Sequence, residues 1–258
     1  DYSALTNTHN KIEVVLQNSG TSTVNVYDDT GATDGTHDDT ISNIENVTGT
    51  SGADTITGNS VANILIGGAG VDTVKYDYDA VESTGVQVDL ENETAKETVS
   101  GTVITDTIKG IENVIGSDWD DSFITKSGDI SKNTLLGMAG ADKLDGAGGA
   151  DYIDGGTGDD EIIGGAGADI LKGGIGDDYF TQANISDTGD DIDGGDDSDT
   201  VDYSGIGIDE NGGTLGNGGI FAKLTNGEVI IDADTDGDFT DTADNKKDII
   251  ANIENISG

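Results

Sequence analysis

The feature that most constrains the fold is a repeat with a period of nine residues. It is most regular in residues 137–181, which read GMAGADKLD, GAGGADYID, GGTGDDEII, GGAGADILK and GGIGDDYFT. Each nonapeptide has glycine in first place, a small or glycine-rich run through fourth place, Asp in sixth place and a large apolar residue in eighth place. Such a period is typical of a fold that stacks one unit on the next.

One nonapeptide predicts a tight turn followed by a short strand. Glycines allow positive φ and a close approach of backbones, so the first four places form a turn whose carbonyl groups face a common centre. Places seven to nine form a three-residue strand whose middle side chain points inward. Because one buried side chain per unit does not offset the entropy lost on ordering the chain, the units fold only when they stack.

The sixth-place carboxylates predict a metal between the stacked units. If two nonapeptides form one coil, Asp142, Asp160 and Asp178 lie on successive rungs, about 4.8 Å apart. Bare carboxylates at that spacing repel each other, since it is well inside the Debye length of about 8–10 Å. A hard dication removes the repulsion. Calcium fits best, because it accepts about six to eight carboxylate and carbonyl oxygens in loose geometry.

The three fullest units match the pattern GGxGxDxUx, where U is a large apolar residue. They are Gly155–Ile163, Gly164–Lys172 and Gly173–Thr181. This pattern resembles the haemolysin-type calcium-binding repeat of the RTX (repeats-in-toxin) proteins. The resemblance implies a right-handed parallel β-roll, calcium held between turns by the sixth-place Asp and by carbonyls of the first to fourth places, and export by a type I secretion system.

The pattern and the resemblance together predict several calcium ions and their ligands. The carbonyl ligands are expected from the turn glycines Gly137, Gly140, Gly146, Gly148, Gly155, Gly156, Gly158, Gly164, Gly165, Gly167, Gly173, Gly174 and Gly176. The carboxylate ligands are expected from Asp54, Asp72, Asp121, Asp142, Asp151, Asp160, Asp169, Asp178, Asp190 and Asp199. Two units carry Asn63 and Asn133 in sixth place, and we expect these turns to bind metal weakly or to share half a site.

The register of the repeat can be tested within the sequence. Counting degenerate copies, twelve units begin at residues 49, 58, 67, 116, 128, 137, 146, 155, 164, 173, 185 and 194. Their eighth places are all apolar and form the predicted core: Ile56, Leu65, Val74, Phe123, Leu135, Leu144, Ile153, Ile162, Leu171, Phe180, Ile192 and Val201. Only 33% of the chain is hydrophobic, so this regularity argues against a disordered acidic linker.

A separate calcium candidate lies near the end of the chain. Asp232, Asp234, Asp236 and Asp238 follow the spacing D-x-D-x-D-G-D, which resembles the loop of an EF-hand. Ala243 stands where the EF-hand has its bidentate glutamate, and the flanking residues read as strands. The alternative interpretation is a solvated acidic hairpin.

The repeats divide the chain into five segments of an all-β protein, with the β-roll in two pieces. We expect a β-rich flanking segment at 1–48, a short roll at 49–75, a β-rich insert at 76–115, the main roll at 116–202 and a second β-rich insert at 203–258. Similar segments recur as DTISNIENVTG, DTIKGIENVIG and DIIANIENISG at residues 39–49, 106–116 and 248–258. We expect them to form rungs in which Glu112 or Asn113 binds backbone groups.

Charge excludes several classes of partner. Eleven Lys and no Arg oppose 52 acidic residues, for a net charge of −41, so nucleic acid and anionic membranes are poor partners and cations are good ones. No apolar run is long enough to insert into a membrane. The chain has no Cys, and it contains no HExxH or GxSxG motif, so no catalytic constellation is visible.

Three functions remain. The first is a calcium-binding structural module of a large secreted surface protein or adhesin, located outside a bacterial cell or on its surface. Its partners would be calcium ions and neighbouring repeats, because the composite segments suggest a piece of a longer array. The second is the secretion and folding domain of an extracellular enzyme such as a protease or lipase. The third is direct binding of a cell-surface or carbohydrate ligand, which the sequence leaves unspecified. Ice binding is disfavoured because no outward ladder of Thr is present.

Overall fold

A computed structural model describes residues 9–28, 39–76, 84–128, 130–182, 189–204, 220–223, 228–231 and 246–257. Every regular element in these ranges is a β-strand, and none of them holds a helix that could cross a membrane. The chain divides into two compact units, unit 1 from Asp1 to Ile124 and unit 2 from Thr125 to Gly258. The loop from Asp232 to Asp238 lies outside the described residues.

The described ranges contain twenty-four strands, of which twelve, most of them three residues long, lie in unit 1. They are β1 (His9–Val15), β2 (Ser22–Asp28), β3 (Asp39–Ile41), β4 (Asn46–Thr48), β5 (Thr55–Thr57), β6 (Ile64–Ile66), β7 (Thr73–Lys75), β8 (Gln87–Asp89), β9 (Thr94–Val99), β10 (Thr102–Lys109), β11 (Asn113–Ile115) and β12 (Ser122–Ile124).

These strands form two sheets. One has the order β11-β7-β5-β1-β2-β3 and the other the order β12-β8-β9-β10-β6-β4. Strands of the nonapeptides pair in parallel with a shift of eighteen residues, as in Thr55 with Thr73. The inserts are three-stranded antiparallel meanders, β1–β3 and β8–β10. Each meander continues a sheet of the roll, because β1, β8 and β10 pair in parallel with nonapeptide strands.

Unit 2 contains the other twelve strands. They are β13 (Thr134–Ala139), β14 (Lys143–Asp145), β15 (Tyr152–Thr157), β16 (Glu161–Ile163), β17 (Ile170–Ile175), β18 (Tyr179–Thr181), β19 (Asp191–Asp196), β20 (Thr200–Asp202), β21 (Ile220–Lys223), β22 (Glu228–Ile231), β23 (Lys246–Ala251) and β24 (Asn255–Ser257).

Successive strands of unit 2 alternate between two sheets. One has the order β13-β15-β17-β19-β23-β22-β21 and the other the order β14-β16-β18-β20-β24. Leu144 pairs with Ile162, eighteen residues away. After residue 182 the shift becomes twenty-one residues, as in Leu171 with Ile192, so three extra residues are absorbed without loss of register. Both units therefore have the predicted all-β, parallel β-roll fold.

The predicted core is confirmed. All twelve eighth-place side chains are at most 1% exposed, and the twelve sixth-place residues are at most 3% exposed. Each half-coil of the roll contributes one apolar side chain to the core, so no further apolar side chains shield the turns from water. The sixth-place residues therefore complete the interior, which places buried polar groups in every turn.

One sheet of unit 2 differs from the prediction of three-residue strands. Strands β13, β15, β17 and β19 each span six residues and run into the turn of the next nonapeptide. The first-place residue is left out of the strand pairing. The second-place and third-place residues then pair again with the neighbouring strand, as Met138 does with Gly156. Positive φ at the second place does not by itself extend a strand, since Ala147 and Gly165 also have positive φ yet follow the three-residue strands β14 and β16.

Candidate metal-binding turns

One oxygen of each sixth-place carboxylate joins neighbouring rungs. The backbone N–H of Asp142 donates to Oδ1 of Asp160 (2.8 Å), and that of Asp160 donates to Oδ1 of Asp178 (2.9 Å). On the opposite side of the roll, the N–H of Asp151 donates to Oδ1 of Asp169 (2.7 Å). The predicted stacking of the aspartates is thus confirmed, and it is made by hydrogen bonds along two columns of turns.

The second oxygen of many of these carboxylates has no hydrogen-bond donor. This holds for the Oδ2 atoms of Asp72, Asp160, Asp169, Asp178 and Asp199, all of which are buried. A buried anionic oxygen without a donor is costly, because nothing replaces the water it has lost. These five oxygens are therefore the strongest candidates for contacts with a cation.

Backbone carbonyls line the same columns. A Cβ added at Gly156 would overlap the carbonyl oxygen of Met138 on the preceding rung, and one added at Gly158 would overlap that of Gly140. A Cβ at first-place Gly155 would overlap Oδ2 of Asp160 itself. Glycine is required at these places because an oxygen occupies the position of a side chain.

The repeated turn has a distinctive backbone. We call the turns at 67–72, 137–142, 146–151, 155–160, 164–169, 173–178 and 194–199 the open turns. Their second-place residues all have positive φ, from 57° at Ala147 to 124° at Gly68. This conformation is natural for glycine and strained for Met138, whose φ is 84°.

Burial raises the pKa of the carboxyls in the open turns. The pKa of Asp72 rises to about 7, mainly because burial disfavours its charged form, and that of Asp160 rises to about 6 for the same reason. The pKa of Asp178 rises to about 7, first through burial and then through repulsion from Asp160 and Asp199. Without a cation, these columns hold protons at a pH where an exposed Asp would be ionised.

The donor set fits a hard cation. The available groups are carboxylate and carbonyl oxygens, which are the ligands that calcium prefers. Within the described ranges no three Asp, Glu or His side chains gather around one point, so side chains alone would not complete a shell. Backbone carbonyls of the turn glycines would have to supply the remaining ligands, as the sequence predicts.

Two predicted ligands lie in a different kind of turn. We call the turns at 49–54, 58–63 and 116–121 the capped turns. Thr50 donates to Asp54 through its backbone N–H and its hydroxyl, and Ser117 does the same for Asp121. Asp190 is also contacted by a side chain, since Nε2 of Gln182 donates to its Oδ2 (2.9 Å).

The sequence analysis missed the residues that end the columns. The hydroxyl of Tyr76 donates to Oδ2 of Asp106 (3.2 Å), and that of Tyr203 donates to Oδ2 of Asp248 (3.0 Å). Both carboxyls have a raised pKa because they are buried. The signal was present as a Tyr directly after the ninth place of a unit, but the paired Asp lies 30 or 45 residues further along the chain.

Glutamates close the other column. Oε2 of Glu112 accepts from the N–H of Asp72 (2.8 Å), and Oε2 of Glu254 accepts from the N–H of Asp199 (2.9 Å). The expectation that Glu112 binds backbone groups is confirmed. Only six residues separate Asp106 from Glu112, instead of nine, so the longer side chain compensates for a shorter turn.

Comparison with known families gives an independent result. The family model described as the RTX calcium-binding nonapeptide repeat (4 copies) matches residues 48–75, 127–162 and 154–181. No curated protein matches the chain at a significant level. The matched ranges contain most of the open turns, whose buried carboxylates and converging carbonyls were found from the geometry alone. Residues 48–75 and 127–181, about a third of the chain, therefore match the RTX calcium-binding nonapeptide repeat.

Proposed function

We propose that this chain is a structural module of a large secreted surface protein or adhesin, and that calcium outside the cell drives its folding after type I secretion. The observation that carries the proposal is the set of buried Oδ2 atoms without donors in the open turns. The proposed ligands are these carboxylates, the other sixth-place Asp of the open turns and the carbonyls of the turn glycines.

The linkage between calcium binding and folding gives the size of the stabilisation. A ligand that binds only the folded state stabilises it by RT ln(1 + [L]/Kd), about 2.7 kcal/mol per site at a hundredfold excess over Kd. The stabilisation from several sites together is comparable to the stability of an ordinary domain, about 5–15 kcal/mol. A net charge of −41 opposes compaction when calcium is scarce, so the open turns would stay unfolded inside the cell and fold outside it.

Neighbouring repeats of a longer array are the proposed protein partners. In unit 1 the meander β8–β10 is inserted between two stretches of roll, since β10 pairs with β6 and β8 pairs with β12. In unit 2 the corresponding meander is joined on one side, where β23 pairs with β19. Its first strand, β21, pairs with β22 alone among the described strands. By the rule of unit 1, β21 offers its outer edge to a nonapeptide strand of a following repeat.

The alternative is the secretion and folding domain of an extracellular enzyme. The repeat itself is a structural calcium-binding element, and we assign no catalytic role to it. Three copies of the meander and its closing segment favour the array, because a single roll would suffice as an enzyme's tail. A cell-surface or carbohydrate ligand would then be bound elsewhere in the parent protein.

The test is a calcium titration of chelator-stripped protein followed by far-UV circular dichroism, with magnesium as the control. We expect a cooperative gain of β signal with calcium and little change with magnesium, which needs stricter octahedral geometry. A β spectrum unchanged by the chelator, in protein shown by metal analysis to contain no calcium, would overturn the proposal.

A further inference from the structure

The capped turns differ from the open turns at the atom that a cation would contact. In the turn at 49–54, the hydroxyl of Thr50 lies 3.0 Å from both carboxylate oxygens of Asp54, and its N–H donates to Oδ2. The N–H of Ile12 donates to Oδ1 (2.7 Å). Both oxygens of this carboxylate therefore already have donors from the protein.

The turn at 116–121 has the same arrangement. The N–H of Ser117 donates to Oδ2 of Asp121 (2.7 Å), and its hydroxyl donates to Oδ1 (2.9 Å). The N–H of Val86 also donates to Oδ1 (2.6 Å). The Ser117 hydroxyl in turn accepts from the N–H of Trp119 (3.2 Å), so the side chain connects the middle of the turn to its end.

The third capped turn carries no charge at all. The N–H of Asn59 donates to Oδ1 of Asn63 (3.0 Å), and Nδ2 of Asn63 donates back to Oδ1 of Asn59 (3.1 Å). Nδ2 of Asn63 also donates to the carbonyl of Glu45 (2.8 Å). This amide pair closes the turn from within and leaves no anionic oxygen for a cation.

The backbone follows the same division. Thr50, Asn59 and Ser117 occupy second place and none of them has positive φ, whereas every open turn has positive φ at that place. With ordinary φ the second-place N–H points at the sixth-place side chain. With positive φ it does not, and the buried Oδ2 of residues such as Asp160 and Asp178 is left without a donor.

We propose that the second-place residue decides whether a turn needs calcium, and that the turns at 49–54, 58–63 and 116–121 close without it. Thr50, Asn59 and Ser117 donate hydrogen bonds to the sixth-place side chain, and these take the place of the contacts that a cation makes in the open turns. This inference rests on the proposed calcium function. It separates the turns that bind calcium from the turns that close without it. Among the described turns of unit 1, only the open turn at 67–72, with Asp72, takes calcium, whereas in unit 2 all the open turns depend on it.

The first test is hydrogen exchange of the full chain with and without a chelator, read by mass spectrometry. We expect peptides covering 49–63 and 116–124 to keep their protection without calcium, and peptides covering 155–178 to exchange faster by roughly tenfold or more. Loss of protection in both regions would overturn the inference and leave the calcium function standing. Retention in both, in protein shown to be free of metal, would overturn the calcium function itself.

The single tryptophan provides a second readout, because Trp119 lies inside a capped turn. Its emission should stay unchanged across a calcium titration in which the far-UV signal of the whole chain rises. A shift of its emission that follows the far-UV signal would contradict a calcium-independent turn.

A matched pair of variants tests the role of the hydroxyl. Ser117→Ala removes the three hydrogen bonds that the hydroxyl makes in the capped turn, while Ser122→Ala removes a hydroxyl from the strand of the same nonapeptide. In chelator, Ser117→Ala should speed exchange in peptides covering 116–121 by at least about fivefold relative to Ser122→Ala, since the loss of one hydrogen bond of ordinary strength has that effect. Equal exchange in the two variants would show that the hydroxyl does not hold the turn.

Discussion

The open turns of residues 155–178 and the capped turns at 49–54 and 116–121 share a sixth-place carboxylate, but its oxygens have different hydrogen-bond partners in the two classes. Asp178 keeps one buried oxygen without a donor, whereas both oxygens of Asp54 accept hydrogen bonds. The difference arises four residues before the carboxylate, at the second place. A repeat can therefore lose its metal without losing its fold when a hydroxyl or amide replaces glycine there.

The comparison also explains why glycine cannot simply be exchanged between the two classes. Where the second place of an open turn is glycine, the carbonyl of the preceding rung occupies the space of a side chain, as that of Met138 does at Gly156. In a capped turn the second-place side chain points at its own carboxylate. Each class is internally consistent, and an intermediate would leave either a steric overlap or a buried anion without a donor.

The largest expected effect comes from Gly156→Ala. Its φ of 110° costs an L-residue roughly 1–2 kcal/mol, and the overlap with Met138 adds roughly 1–3 kcal/mol of overpacking. Gly20→Ala is the matched control, because Gly20 has φ of 93° and no atom within 4 Å of an added Cβ. Urea unfolding in saturating calcium measures both variants. Equal losses would mean that the close approach of rungs is not required.

The second effect separates charge from hydrogen bonding. Asp178→Asn keeps an acceptor for the N–H of Asp160 but removes the anionic oxygen, so we expect a loss of about 2.7 kcal/mol in excess calcium and no loss in chelator. Asp121→Asn, in a capped turn, should show no calcium-dependent component. Thermal melts of both variants in the two conditions check this, and a loss at Asp178 that is the same with and without calcium would count against the metal.

The third prediction concerns pH. In chelator, the free energy of unfolding should fall as the pH rises, because buried carboxyls with a raised pKa favour the protonated, folded state. The folded pKa values of Asp72 and Asp178, about 7, lie above the ordinary value of 3.8, so protonation favours the fold. In chelator, the contribution of these two carboxyls to stability should be largest below about pH 4 and decline as the pH rises to about 7. Calcium should reverse the trend, because it binds the ionised carboxylates. Metal-free melts from pH 5 to 8 that show rising stability would contradict the buried carboxyls.

The smallest expected effect is a gain in stability. Met138→Gly relieves a φ of 84° in the second place of an open turn and should stabilise the protein by about 1 kcal/mol. The side chain is 44% exposed, so little packing is lost. The midpoint of urea unfolding in calcium measures the change, and a decrease would show that Met138 contributes packing that outweighs its strain.

Much of the fold could be predicted because the roll is built from local rules. The eighth-place residues, from Ile56 to Val201, form the core where the period placed them, and three extra residues after residue 182 did not disturb the register. The division into six-residue and three-residue strands could not be predicted. It depends on whether the second-place peptide rejoins the neighbouring rung, which is a matter of pairing between coils.

The candidate sites were predicted only in part. The period identified Asp160 and Asp54 as equivalent ligands, yet the structure gives them different partners. The Tyr76 and Tyr203 hydroxyls that end the columns belong to no repeat and contact carboxylates across a whole meander. No pattern within nine residues contains that information.

The sequence by itself determined the period, the buried eighth place and the oxygen-rich turns, because each depends on residue types at fixed spacing within one or two units. The tertiary structure decided which carboxylate oxygens have donors, where the columns end and which turns take positive φ. The donors to Oδ1 lie on a neighbouring rung, eighteen or more residues away. The donors of the capped turns lie only four residues before the carboxylate, but whether they reach it depends on the backbone conformation of the turn, which residue types alone do not specify.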